Sequence, residues 1–157
     1  MVDDGGDPAR LTSLVLRTAT ADDLDALLPL IHEFEQHDGY RRDDDHVRGA
    51  LVPLLRNPDL GWVAVAELAG SIVGYAVLTW GWGLESGGRE SLLDEIYAAR
   101  RGRGIGTELF AYCLRLARDA GARTLFLETE RVNDRARSFY LRQGMQAQDS
   151  IWLSTRL

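Results

Sequence analysis

Residues 100–106 read Arg-Arg-Gly-Arg-Gly-Ile-Gly, and they lie between a predicted strand and a predicted helix. Glycine lets a backbone adopt positive φ and approach a ligand closely. A helix that begins directly behind such a loop offers unpaired N–H groups and the positive end of its dipole. The stretch therefore predicts an anion site, and a pyrophosphate is the ligand that suits it best.

This loop differs from the two common phosphate-binding glycine motifs. Thr107 occupies the place of the last glycine of the dinucleotide-binding fingerprint, and no Gly-Lys-Ser/Thr follows as it does in a P-loop. The alternative interpretation is a glycine-rich turn that carries surface arginines.

The composition restricts the class of protein. The chain has 157 residues, which is the size of one domain, and 45% of them are hydrophobic, enough to build a core. Its net charge of −6 argues against general binding to nucleic acid, which depends on neutralising phosphates. No apolar run is long enough to predict a membrane span. All 18 basic residues are arginine, which excludes any mechanism with a lysine nucleophile.

The sequence predicts a short N-terminal tail followed by one domain. We expect residues 1–10 to be a disordered tail and residues 11–157 to form a single domain. The N-terminus lacks the pattern of a secretory signal, and the single cysteine cannot form an internal disulfide, so we expect a cytoplasmic protein. That cysteine, Cys113, lies on the apolar stripe of a predicted helix and is expected in the core.

Hydrophobic periodicity predicts the element order β-α-α-β-β-β-α-β-α-β, which is an α+β or mixed α/β domain. The predicted strands cover 14–17, 62–68, 72–80, 92–97 and 124–129, with a last strand pair within 145–156. The predicted helices cover about 21–36, 44–55, 105–120 and 134–142, the last of them capped by Asn133.

Two spaced motifs carry a resemblance to a known family. Arg101-x-x-Gly104-x-Gly106 is followed downstream by Asn133-x-x-Ala136-x-x-Phe139-Tyr140-x-x-x-Gly144-Met145. These resemble the acetyl-CoA loop and the Asn-x-x-Ala…Phe-Tyr…Gly-Phe signature of the GNAT acetyltransferase superfamily, over roughly residues 14–153. The resemblance implies a central, mostly antiparallel sheet with helices on both faces. It also implies an N-acetyltransferase, in which a primary amine attacks acetyl-CoA directly in a ternary complex.

The resemblance also implies which residues bind acetyl-CoA. The backbone of the fourth strand would pair with the pantetheine arm, and the Ile96 N–H would meet the thioester oxygen. The loop would hold the pyrophosphate, and Asn133 would contact the cofactor near the start of its helix. The full set expected at the cofactor is Ile96, Tyr97, Ala98, Arg101, Gly102, Arg103, Gly104, Ile105, Gly106, Thr107, Asn133, Arg137 and Tyr140.

Three residues are candidates for the chemistry. The resemblance implies that Tyr140 protonates the leaving sulfur, a role that suits a phenol because it keeps its proton at neutral pH. The alternative is a packed aromatic ring beside Phe139. The neighbours Asp94 and Glu95 resemble the paired acids of diamine acetyltransferases. Adjacent strand residues point to opposite faces, so we prefer Glu95 as base or proton relay, with Asp94 second. The alternative is a pair of solvated or ion-paired acids.

The resemblance implies that the connection between the first two helices, within residues 32–45, forms one wall of the acceptor site. This stretch holds six acids and two arginines, a net charge of −4, and would attract a small cationic amine. Aromatic residues could add cation–π surface, namely Phe34, Tyr40, Trp80 and Trp82. The alternative is a set of solvated helix ends. The spacing of His32, His37 and His46 does not match a zinc pattern, and we expect no metal.

Other functions remain open alternatives at this point. One is an acyl-CoA-binding sensor without catalysis, although a sensor would need neither Tyr140 nor the two acids. Another is a protein N-terminal or lysine acetyltransferase, which requires an open groove that the loop at residues 81–88 would cover or expose. A homodimer is an alternative to a monomer, and neither nucleic acid nor a membrane is an expected partner.

Overall fold

The computed structural model describes residues 13–100 and 102–157. The chain divides into two compact units, Met1–Leu127 and Glu128–Leu157. The predicted tail at residues 1–10 lies outside the described residues, and so does Arg101.

The described part of the first unit contains one five-stranded sheet. Its strands are β1 (Leu14–Thr18), β2 (Gly61–Leu68), β3 (Ser71–Gly83), β4 (Gly88–Ala98) and β5 (Thr124–Phe126), and they lie in that order across the sheet. The first four strands pair antiparallel, and β5 pairs parallel to β4. A 3₁₀ turn at Ala21–Asp23 precedes the helices α1 (Leu24–His37), α2 (Asp44–Arg56) and α3 (Ile105–Asp119).

Helices cover both faces of this sheet. Val63 and Val65 of β2 pack in one core cluster with buried residues of α1 and α2. Their neighbours Ala64 and Ala66 are equally buried and point to the opposite face, because side chains alternate along a strand. There α3 contacts β2, β3 and β4 through its buried stripe, which consists of Ile105, Leu109, Phe110, Cys113, Leu116 and Ala117. The predicted fold class and the predicted core position of Cys113 are thus confirmed.

Strand β4 is irregular at the pair of acids. Val77 of β3 pairs with Glu95, but the next residue, Leu78, pairs with Leu93. Asp94 is therefore the extra residue of a β-bulge, a feature that re-aims side chains and is frequent beside active sites. Asp94 is exposed, whereas Glu95 is half-buried on the face covered by α1 and α2.

The second unit contains a helix, α4 (Asp134–Arg142), which ends before Gly144 at φ +88°. The predicted strand pair within 145–156 is wrong, since residues 145–157 form no strand. A strand needs a ladder partner, and alternating apolar residues do not provide one. The hairpin of β3 and β4 is longer than predicted, because Trp82 pairs with Arg89 and Gly83 with Gly88. Strand β5 ends at Phe126 instead of residue 129.

Gly74 sets how closely β3 approaches the end of β4. A Cβ at this position would lie 2.8 Å from the Tyr97 carbonyl oxygen and 3.4 Å from the Ala98 Cα. Because both atoms belong to the backbone, Gly74→Ala should lower the free energy of unfolding by about 1–3 kcal/mol, the usual cost of overpacking. Denaturant unfolding measures this. Gly49→Ala is the matched control, since a Cβ there meets nothing within 4 Å and alanine favours the helix α2. A Gly74→Ala protein as stable as the control would contradict the close approach.

Candidate active site

The glycine loop leads into the N-terminus of α3. Gly102 and Gly104 have φ values of +75° and +73°, which L side chains rarely adopt. Gly104 is the N-cap residue of α3, and among the described residues no side chain caps this helix end. The N–H groups of the first turn therefore face outward with the positive end of the helix dipole, an arrangement suited to an anion.

Gly106 offers a second indication of a ligand at this helix end. It lies in the first turn of α3, and its φ is not in the positive region. A Cβ there would meet nothing within 4 Å. Neither the backbone nor the packing of the described residues thus requires glycine at this position. The space fits the close approach of a phosphate group, and the exposed Arg100 and Arg103 lie in the same loop.

The outer edge of β4 is open over its second half. β5 pairs with β4 only at Glu90–Leu92, and no other strand of the described residues pairs with β4 on that side. The Ala99 N–H donates to the Val73 carbonyl (2.9 Å), which makes these two a hydrogen-bonded pair. Since hydrogen-bonded and non-hydrogen-bonded pairs alternate, the backbone groups of Ile96 and Ala98 point away from β3.

This register separates the roles of three neighbouring residues. The N–H groups of Ile96 and Ala98 face the open edge, where an extended ligand could pair with them. The backbone of Tyr97 instead belongs to the ladder with Tyr75 of β3. Tyr97 can therefore act at the predicted site through its side chain, which is buried on the face covered by α1 and α2.

Glu95 is held by a buried tyrosine. The Tyr75 hydroxyl donates to Glu95 Oε2 at 2.8 Å, and the Tyr75 side chain is fully buried. Burial raises the pKa of Glu95, and the neighbouring charge of Asp94 adds to this, while the hydrogen bond from Tyr75 opposes it. A carboxyl with a raised pKa beside an open strand edge has the character of a proton acceptor.

The acidic stretch at residues 32–45 is partly structural. Glu35 is 1% exposed and accepts hydrogen bonds from the backbone N–H and the guanidinium of Arg42, both at 3.2 Å. His32 lies between Glu35 and Asp44, with Nδ1 3.0 Å from Glu35 and Nε2 2.8 Å from Asp44. Burial opposes ionisation of Glu35, but its bonds with His32 and Arg42 outweigh burial and lower its pKa. Asp43 caps α2 by accepting from the His46 N–H.

Glu33 and Tyr97 connect α1 to the sheet beside Glu95. The Tyr97 hydroxyl donates to Glu33 Oε2 at 3.0 Å. The Tyr97 ring contacts three other rings, with centroids 5.8 Å away for His37 and 6.3 Å away for Phe34 and Tyr75. Of the four aromatic residues predicted at the acceptor site, Phe34 is the one whose ring contacts Tyr97.

Two of the other predicted aromatic residues already face arginines. The Arg42 guanidinium lies 4.5 Å from the Tyr40 ring centre, and that of Arg89 lies 5.7 Å from Trp80. The Trp80 indole donates to the Pro58 carbonyl at 2.9 Å. Trp82 is 77% exposed on the β3–β4 hairpin.

In the second unit, the predicted residues lie along α4. The Asn133 side chain accepts from the Ala136 N–H at 3.0 Å and caps the helix, as predicted. Arg137 donates to the Arg131 carbonyl at 2.7 Å and forms an ion pair with Asp134. Tyr140 is half-buried, and its ring packs edge-on against Phe139 at 5.2 Å.

Comparison with known proteins places these features in a family. A family model described as "Acetyltransferase (GNAT) family" matches residues 21–145. The chain belongs to the GNAT acetyltransferase family. No curated protein matched it.

Solved structures share this GNAT fold. An integron cassette protein from the mobile metagenome of Cole Harbour Salt Marsh is 30% identical, with 90% of each chain covered and a TM-score of 0.81. An aminoglycoside acetyltransferase, meta-AAC0020, from an uncultured soil metagenomic sample is 21% identical, with 92% of this chain and 96% of that chain covered and a TM-score of 0.73. A ribosomal-protein-alanine N-acetyltransferase from Brucella melitensis biovar Abortus 2308 is 23% identical, with 92% and 99% covered and a TM-score of 0.74.

Sequence reasoning about this GNAT chain missed the residues that hold the predicted acids. Tyr75 lies in the apolar run of β3 and was assigned no role from the sequence. A signal was present, because a tyrosine inside such a run has a hydroxyl that needs a partner once buried. The pairing of Glu35 with Arg42 also went unnoticed, since it depends on how the chain turns between α1 and α2.

In the described part of the GNAT chain, no group of three or more His, Cys, Asp or Glu side chains could hold a metal ion, and none of its helices is long and apolar enough to cross a membrane. A cleft of about 370 Å³ in the first unit is lined by Thr18, Ala19, Leu54, Leu55, Pro58, Trp62 and Val63.

Proposed function

We propose that this GNAT protein transfers acetyl from acetyl-CoA to the primary amino group of a small cationic molecule. The observation that carries the proposal is the continuity of two binding features. The open edge of β4 runs to Ala98. Six residues later, Gly104 is the N-cap of α3, which begins at Ile105. An extended arm on the edge would lead into an anion site at the helix end.

The residues present fit coenzyme A. Ile96 and Ala98 would bind the pantetheine arm through their outward N–H groups. The pyrophosphate would lie against Gly102, Gly104 and Gly106, and the absent side chains of Gly102 and Gly106 leave open space there. Arg103 would add positive charge, and Ile105 would anchor the helix through its buried side chain. Arg101, Thr107, Asn133 and Arg137 are proposed cofactor contacts from the resemblance.

Acetyl-CoA, when bound, supplies an acetyl thioester. The Ile96 N–H would stabilise the negative charge that develops on the thioester oxygen. Glu95 would accept the proton of the attacking amine, directly or through water, because its raised pKa suits it to a base. Asp94, exposed at the bulge, is the second candidate. Tyr140 would donate a proton to the departing sulfur, a role supported by its place in the Phe-Tyr motif.

The acceptor class rests on the charges that remain beside Glu95. Glu35 and Asp44 form ion pairs, so they add little attraction for a cation. Glu33, Glu95 and Asp94 are the acids that would face an amine. Two structural neighbours with this fold are named for different acceptors, one for an aminoglycoside and one for a ribosomal-protein alanine. The acids favour a small cationic amine over a protein N-terminus.

An amine panel tests this function. We expect polyamines, diamines or aminoglycosides to release free thiol from acetyl-CoA faster than amino acids or peptides do. The rate should rise with pH, since both the amine and Glu95 must lose a proton. Added salt should lower kcat/KM, because screening acts over roughly 8 Å at physiological ionic strength. A neutral or anionic acceptor preferred over every cationic one would refute the acceptor class and leave the acetyltransferase proposal standing.

Glu95→Gln tests the proposed base. The amide keeps the shape of the side chain but cannot take up a proton, so kcat should fall by about 100-fold, while the Kd of acetyl-CoA stays unchanged. Glu85→Gln is the matched control, since Glu85 is an exposed acid on the β3–β4 hairpin and loses the same charge. Equal rates in the two variants would remove Glu95 from the mechanism. In that case Asp94→Asn is the next variant to measure.

A further inference from the structure

Tyr75 is more than a packed ring. It is fully buried in the centre of β3, where a phenylalanine would fill nearly the same volume. Its hydroxyl donates to Glu95 Oε2 at 2.8 Å. A buried hydroxyl without a partner is costly, so this tyrosine and this acid are matched to each other.

The phenol is the donor whenever the Glu95 carboxyl in this pair is ionised. Burial, followed by the negative charge of Glu95, raises the pKa of Tyr75 far above its ordinary value. The hydroxyl therefore keeps its proton over the pH range in which Glu95 titrates. Glu95 Oε2 is thus held as an acceptor, and the other carboxylate oxygen, Oε1, is the one that can turn to an amine or to water.

The groups around Glu95 have opposing effects on its pKa. Burial and the acids Asp94 and Glu35 favour the protonated form, while the Tyr75 hydroxyl and Arg42 favour the carboxylate. Arg42 is shared with Glu35, and it also lies over the Tyr40 ring. Of the influences that lower the pKa of Glu95, the hydrogen bond from Tyr75 is the largest.

We propose that Tyr75 is a positioning residue that holds Glu95 as an oriented, ionised carboxylate facing the acceptor. This rests on the proposed function, in which Glu95 takes the proton of the amine. Tyr75 itself would contact neither the acceptor nor acetyl-CoA. It acts through Glu95, by fixing one oxygen and by opposing the effect of burial.

Tyr75→Phe tests the proposal by a pH profile. Glu95 must be ionised to act, so the rate is lost as pH falls through its pKa. Removing the hydroxyl removes an influence that lowers this pKa, so the acidic limb of kcat/KM should move to higher pH by about one unit, the size expected for a lost hydrogen bond to a charged group. The rate above that limb should recover in part, and the Kd of acetyl-CoA should not change.

Tyr112→Phe is the control, because it removes a phenol hydroxyl from α3 on the other face of the sheet. A Tyr75→Phe variant with a lower Tm but an unmoved acidic limb would assign the tyrosine a structural role only and overturn the proposal. An unaffected rate in Glu95→Gln would instead show that Glu95 is not the base. The two variants therefore distinguish a failure of the positioning role from a failure of the proposed function.

Direct titration makes the test independent of turnover. Carbon-13 NMR of the glutamate carboxyls, with Glu95→Gln to identify the signal, should show a higher Glu95 pKa in Tyr75→Phe than in the wild type. If that variant does not fold, a titration of the wild-type protein provides the test. The Tyr75 hydroxyl proton should then change its chemical shift with the same midpoint as the Glu95 carboxyl. An equal pKa in the two proteins, or a hydroxyl signal that ignores the titration, overturns the proposal.

Discussion

Gly106→Asp should weaken acetyl-CoA binding by at least about 100-fold and leave the protein folded. The new carboxylate would lie in the first turn of α3, where the pyrophosphate is proposed to bind, and like charges brought together at a binding site cost several kcal/mol. The fold should tolerate the change. A side chain at this position meets nothing within 4 Å, and an acid at a helix N-terminus is favourable.

Calorimetry with acetyl-CoA measures the affinity, and thermal unfolding measures the stability. The matched control is Gly49→Asp, which adds the same side chain to an exposed helical glycine in α2 that also has open space around it. We expect Gly49→Asp to bind like the wild type and to gain Tm when acetyl-CoA is added, because a ligand of the folded state stabilises it by mass action. Wild-type affinity in Gly106→Asp would show that the helix end is not the anion site.

Tyr140→Phe should lower turnover by about 100- to 10,000-fold, the usual range for a lost general acid. The substitution removes one hydroxyl and keeps the ring that packs against Phe139, so the Kd of acetyl-CoA should change little. Turnover is measured by thiol release with the best amine of the panel, under conditions in which chemistry limits the rate.

The effect of Tyr140→Phe should depend on the leaving group. A donor whose thiol is more acidic needs less protonation, so the rates of wild type and variant should approach each other with such a donor. Tyr112→Phe controls for the loss of a phenol elsewhere. Unaltered turnover in Tyr140→Phe would make water the proton source for the sulfur.

Local patterns predicted most of the secondary structure. The glycine loop before α3, the Asn133 cap of α4 and the apolar stripe around Cys113 each involve residues close in sequence, so their physics can be read from neighbours. The predicted strand pair within 145–156 failed for the opposite reason. A strand exists only with a partner strand, and the sequence of one segment alone does not predict which distant segment it pairs with.

The geometry of the candidate site depends on contacts between distant segments more than the secondary structure does. Alternation along a strand assigns Asp94 and Glu95 to opposite faces, but the bulge appears only when β4 is aligned with Val77 and Leu78 of β3. Likewise, a charge count treats the stretch at residues 32–45 as a uniform negative wall. The structure divides it, because Glu35 is buried against Arg42 whereas Glu33 contacts Tyr97.

Product analysis with isotopically labelled acetyl-CoA is the most direct test of the central claim. The purified protein is mixed with the labelled donor and the amine panel, and mass spectrometry follows both the amine and the free CoA. We expect one labelled acetyl group on the amino nitrogen of a cationic amine for each CoA released, and no release without an acceptor. Binding of acetyl-CoA with no labelled product from any amine or peptide would contradict the account and leave an acyl-CoA sensor in its place.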